Sequence, residues 1–129
     1  MTSRSIGYAR TSGGGDTKQA AGLEVQVKAL KDAGCAVVFQ EIVSSRAAEK
    51  DRHQLQAALN AVVEGDELVI TALSRLGRTQ REVINRLHDL QEKRIHVRTL
   101  DGLVNTKAMG KMAPVLIGLL TGLNEVERE

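Results

Sequence analysis

Two rhythms of apolar and polar positions alternate along the chain, and the points where one gives way to the other mark its elements. Residues 5–11 form a short apolar run and predict a first strand, followed by a loop at Gly13, Gly14 and Gly15. Leu23, Val27 and Leu30 recur at helical spacing, so a helix is expected over residues 20–33, with Gly34 as its C-terminal cap. Residues 35–43 read as a second strand and residues 44–52 as a polar loop. Leu55, Ala58, Leu59 and Val62 make a second helical stripe. Gly65-Asp66 is a turn signal ahead of a third strand over residues 67–73. Thr79 and Glu82 have the spacing of a capping box, so a third helix starts there and buries Val83, Leu87 and Leu90. Residues 95–100 predict a fourth strand, turned away by Asp101-Gly102, and from Thr106 the chain reads as one long helix. Strands alternating with helices predict an α/β fold, a largely parallel sheet with helices packed on it.

The last helix differs from the others. Val115, Leu116, Ile117, Leu119, Leu120 and Leu123 cover most of its circumference, which calls for burial on more than one side. A partner subunit would provide the second surface; a central core helix in a monomer is the alternative. Pro114 lies close to the start and is expected to kink it.

Composition narrows the function. The chain has 129 residues, 42% hydrophobic and 26% charged, which suits one globular domain. One Tyr, one Phe and no Trp imply an aliphatic core and argue against a binder that stacks bases on aromatic rings. A net charge of +2 does not by itself announce nucleic acid, but 11 of the 18 basic residues are Arg, the better grip for phosphate oxygens. A lone Cys35 excludes an internal disulfide and reads as a buried thiol. The N-terminus lacks a signal-peptide pattern, and the longest apolar run, 115–120, is too short to cross a bilayer, so a cytoplasmic protein is expected.

In parallel α/β sheets ligands bind beyond the carboxyl ends of the strands. Here the first strand leads into Ser12, with Tyr8 and Arg10 just before it. The second leads to Ser44, Ser45, Arg46 and Arg52, and the third to Ser74, Arg75 and Arg78. Tyr8, Arg10 and Ser12 share parity and so one face of an extended strand. Arg78 precedes a helix start whose free N–H groups add positive potential. Such a site suits a phosphodiester: fixed arginines neutralise the equatorial oxygens while a serine attacks in line. The bland reading is that these arginines are solvated surface.

At this point the residues resemble a known family. Gly7-Tyr8-Ala9-Arg10-Thr11-Ser12 is similar to the opening motif of serine site-specific recombinases, and Leu73-Ser74-Arg75-Leu76-Gly77-Arg78 resembles their L-D-R-L-G-R motif. Gln26, Arg52, Gly65-Asp66, Thr106, Gly110-Lys111-Met112 and Glu127-Arg128 follow in the order the family has them. The resemblance covers essentially the whole chain. It implies a three-layer α/β/α resolvase-like domain, with a mostly parallel sheet, one antiparallel edge strand and a long C-terminal interface helix. It divides the chain into a catalytic domain over residues 1–105 and the start of an oligomerisation helix over 106–129, with a DNA-binding domain beyond it.

The resemblance also implies roles. Ser12 is the nucleophile, forming a covalent 5′-phosphoserine link to DNA. Arg10, Arg75 and Arg78 surround the scissile phosphate; Tyr8, Gln26, Arg52, Ser74 and Arg128 contact or support the phosphate and DNA. The partners are double-stranded DNA and copies of the chain, a homodimer that becomes a homotetramer on synapsis, in the cytoplasm at the nucleoid. No metal and no other cofactor is implied.

Three departures stand out. Ser74 replaces the usual Asp and cannot carry its negative charge. The glycine loop makes the Ser12-to-Gln26 spacing 14 residues, and Thr11 replaces Val. Ser74 motivates a second reading, a catalytically impaired DNA-bridging or regulatory relative. A metal-dependent nuclease would need clustered carboxylates, yet Asp66 lies at the wrong end of its strand and Asp101 stands alone. A phosphate-loop protein would need Lys-Ser/Thr after the glycines, which is missing.

Overall fold

The structure is a computed structural model; it describes residues 3–11, 17–43 and 52–127, excluding the side chains of 17–21 and 124–127. Ser12, Ser44, Ser45, Arg46 and Arg128 therefore lie outside the described residues. The elements are β1 (Ser5–Thr11), α1 (Thr17–Asp32), β2 (Val37–Ile42), α2 (His53–Ala61), β3 (Glu67–Ile70), α3 (Gln80–Glu92), β4 (His96–Thr99), α4 (Thr106–Met109) and α5 (Met112–Glu127). The four strands form one sheet in the order β2-β1-β3-β4, and every pairing is parallel.

Side-chain alternation along β1 builds two cores. Ile6 and Tyr8 point into a cluster with Leu55, Ala58, Leu68, Ile70, Leu76, Val83, Leu87 and Ile117, which seats α2, α3 and α5 on one face. Ala9 joins Leu23, Leu30, Cys35 and Val69 under α1 on the other. The result is the expected three layers. Cys35 is a buried free thiol, as expected. Burial pushes it up to about 11, with Arg98 opposing and Glu67 adding to the rise.

Four expectations need correction. The third strand ends at Ile70, because Leu73 and Leu76 have helical spacing and anchor a 3-10 turn, Leu73–Leu76, in the core. Among the described residues a single antiparallel bridge, Arg98 to Asn105, stands in place of the antiparallel edge strand. The outer edge of β4 is satisfied otherwise: Thr106 Oγ1 accepts from Val97 N–H at 2.9 Å, and Thr99 N–H donates to the Val104 carbonyl at 2.8 Å.

The long helix from Thr106 is broken at Gly110, where φ is +58° and ψ −127°, a conformation open to glycine. Pro114 explains the break. It cannot donate to the Gly110 carbonyl, and its ring would clash there, so α5 starts afresh with the proline in its first turn rather than kinking it. Finally, α5 is not wrapped. Ile117 is buried, but Met112, Val115, Leu116, Leu119 (64% exposed) and Leu123 face outward, which excludes the central core helix.

The helix ends show local chemistry. α1 closes with Cys35 N–H on the Leu30 carbonyl and Gly34 N–H on Lys31, with Gly34 at φ +107°. The end of α3 repeats those bonds, Ile95 to Leu90 and Arg94 to Gln91, but there Arg94 takes the left-handed position at φ +59°. No helix among the described residues is long and apolar enough to cross a membrane.

Candidate functional site

β1 outruns β3. Its last partner in β3 is Val69, opposite Gly7, whereas its pairing with β2 continues to Thr11. The backbone of Arg10 on the β3 side thus has no strand beside it. Gln26, from α1, fills the gap: Oε1 accepts from Arg10 N–H at 3.3 Å and Nε2 donates to the Arg10 carbonyl at 3.0 Å. A glutamine at that helical position acts as a piece of strand, and it fixes the backbone leading to residue 12.

The Arg10 side chain enters the cleft formed by this overhang and is only 2% exposed. Its Nη1 donates to the Val43 carbonyl at 3.4 Å and its Nη2 to the Ser74 carbonyl at 3.3 Å, both long bonds. Its Nε is buried without a partner among the described residues, as is Thr11 Oγ1 next to it. Burial lowers the Arg10 pKa, the positive charges of Arg52 and Arg75 lower it further, and Tyr8 and Glu41 oppose them. Arg52, directly before α2, is 1% exposed and is the largest fully buried side chain described. Arg75, within the 3-10 turn, is half-buried, with Nε at 3.5 Å from Thr71 Oγ1, while Ser74 and Arg78 are exposed.

Sequence reasoning did not single out Glu41. It stands beside Arg10 in the β1–β2 register and accepts from the buried Tyr8 hydroxyl at 2.6 Å. Its two oxygens also accept from Gln54 and Leu55 N–H at 3.1 Å each. It thereby caps α2, a helix that Arg52 leaves without a side-chain cap. Burial raises the Tyr8 pKa, and the hydrogen bond and charge of Glu41 raise it further, so the phenol stays protonated and donates. The available signal was a carboxylate inside an otherwise uncharged strand.

The capping box at α3 forms with one change. Thr79 Oγ1 accepts from Glu82 N–H at 3.2 Å, but the Glu82 carboxylate reaches Arg78 rather than the Thr79 amide. Gly77 permits this: a Cβ there would come within 2.9 Å of Glu82 Cβ and 3.0 Å of Val83 N. Gln26 and Ser74 thus meet Arg10 by hydrogen bonds and Tyr8, Arg52 and Arg75 by charge at the carboxyl end of β1, while Arg78 is held by Glu82.

Residues 5–129 match the family described as Resolvase, N terminal domain. The chain belongs to that family. Among the relatives of this resolvase-family chain are a DNA-invertase of Escherichia phage P1 and the serine recombinase gin of Escherichia phage Mu. Each is 34% identical over 125 residues, covering 96% of this chain. The match spans 62% of the first protein and 60% of the second. The crystal structure of the N-terminal catalytic domain of TP901-1 integrase shares the fold, with a TM-score of 0.71 at 18% identity. The overlap covers 97% of this chain and 96% of that one.

Proposed function

We propose that this resolvase-family chain is the catalytic domain of a serine recombinase, which cuts, exchanges and rejoins DNA through a 5′-phosphoserine bond at Ser12. The observation that carries the proposal is the buried cation cluster. Burial and the charges of Arg52 and Arg75 weigh against the Arg10 cation, and Arg10 Nε has no partner among the described residues. A buried cationic donor with no acceptor among the described residues is open to an anion from outside. A phosphodiester oxygen has the charge and the acceptor geometry for it.

In this reading the Ser12 hydroxyl attacks phosphorus and the 3′ oxygen leaves, so the diester energy is kept in the protein–DNA bond and no nucleotide is consumed. Arg10, Arg75 and Arg78 neutralise the charge that develops on the phosphate oxygens. Tyr8, Gln26, Arg52, Ser74 and Arg128 bind or brace that centre. Gln26 does so through the β1 backbone and Tyr8 through Glu41. No metal or other cofactor is assigned to the chemistry.

Double-stranded DNA is the substrate and a second copy the first partner. The exposed apolar residues of α5, Val115, Leu119 and Leu123 among them, support a homodimer that pairs into a homotetramer on synapsis. The protein acts in the cytoplasm at the nucleoid.

The test uses the protein expressed from its full natural reading frame and a supercoiled plasmid bearing the DNA that flanks its gene. Quenching with denaturant in chelator should trap a protein–DNA adduct, and Ser12→Ala should abolish it while DNA binding persists. Site binding without any adduct in the parent would instead favour the catalytically silent bridging protein that Ser74 suggests.

A further inference from the structure

Glu82 is the described acid most closely engaged with an exposed arginine of the site. Its Oε2 accepts from Arg78 Nε at 3.0 Å and its Oε1 from Arg78 N–H at 3.2 Å. Its own N–H is held by Thr79 Oγ1. Cap, acid and arginine form one closed unit, which the missing Cβ of Gly77 allows. Burial pushes the Glu82 carboxyl up, but the Arg78 N–H, side chain and charge, with the charge of Arg52, outweigh it and hold it below the usual range. Glu82 is therefore linked to two of the site's arginines, one by contact and one by charge.

An exposed ion pair four residues apart on a helix adds little to stability. This one has a geometric consequence instead. A carboxylate on Nε fixes the guanidinium plane and leaves the two-pronged Nη1/Nη2 edge for a second acceptor. We propose that Glu82 is a positioning residue that holds the Arg78 guanidinium with its two-pronged edge toward the scissile phosphate. The inference rests on the recombinase reading above.

The experiment compares the full-length parent, Glu82→Gln, Arg78→Ala and the double variant. It records the single-turnover rate of adduct formation, DNA affinity and melting temperature. Losing a charge-assisted orienting bond corresponds to about a tenfold slower adduct in Glu82→Gln, with DNA affinity within about twofold of the parent. In the Arg78→Ala background the same substitution should change the rate less than about twofold, because the group it orients is gone.

In parallel, carbon-detected NMR follows the Glu82 carboxyl, whose titration midpoint should rise in Arg78→Ala. An unchanged midpoint overturns the proposal whatever the activity. So does a Glu82→Gln rate equal to or faster than the parent's, or an equal loss in both backgrounds, which marks a merely structural role. If the parent itself forms no adduct, the recombinase reading fails and this inference falls with it. An adduct in the parent with no effect of Glu82→Gln sinks this inference alone.

Discussion

Arg10→Met should stabilise the chain while abolishing strand cleavage. The substitution exchanges a buried guanidinium for an apolar side chain of similar length. What is lost is modest: the bonds to Val43 and Ser74 are 3.4 and 3.3 Å long, and together they contribute about 1–2 kcal/mol. The hydrogen bonds to Gln26 use the Arg10 backbone and survive. What is relieved is larger. Arg10 is 2% exposed, its Nε has no partner among the described residues, and Arg52 and Arg75 repel it. Keeping a charge buried in that state costs several kcal/mol of desolvation, offset in part by the charge of Glu41. The expected net gain is about 1–2 kcal/mol, which for a domain of this length is a rise in Tm of about 4–8 °C. Urea unfolding of parent and variant measures the sign. Inorganic phosphate gives a second readout, since an anion that fills the cluster should raise the Tm of the parent and not of the variant. A variant destabilised by more than about 1 kcal/mol, or equal stabilisation of both proteins by phosphate, would refute the idea that the fold sustains a costly buried charge here for the sake of its substrate.

Three further outcomes are expected. Tyr8→Phe removes the 2.6 Å bond to Glu41 from a buried site and should cost about 1.5–3 kcal/mol in urea unfolding; a loss below 0.5 kcal/mol would show that the pair is not formed in solution. Asp66 is pushed up by burial, but the Val63 N–H and the Arg4 side chain and N–H outweigh this and lower its pKa below the ordinary value. Its contribution is therefore complete above about pH 4 and is lost as pH falls through the lower folded pKa. Asp66→Asn should flatten the acid limb of a stability–pH curve, and an unchanged limb would contradict the assignment. Arg94→Gly relieves the left-handed residue at the end of α3 and should stabilise by about 0.5–1 kcal/mol, because the pair with Glu64 is exposed and adds little; thermal melts decide it.

Local rules made much of this protein legible before its structure. Period-two and period-3.6 patterns located four strands and the helices between them, Gly34 marked a helix end, and Thr79 a helix start. The order of Tyr8, Arg10, Arg52, Ser74, Arg75 and Arg78 around strand ends pointed to a candidate site, because a parallel sheet carries all its carboxyl ends to one edge. What stayed hidden depends on contacts between distant residues. Glu41 reads as one charge in a strand until the β1–β2 register sets it beside Arg10, under the Tyr8 hydroxyl and over the α2 amides. Gln26 is singled out by the resemblance alone, and its bonds to the Arg10 backbone follow only from β1 outrunning β3. The break before α5 is written in Gly110 and Pro114, yet a proline near a helix start signals a kink as readily as a fresh start, and only the folded chain shows Gly110 at positive φ. Sequence determines which residues can turn, cap and bury; only the folded sheet decides which buried groups lack a partner, since that depends on how far each strand reaches past its neighbour.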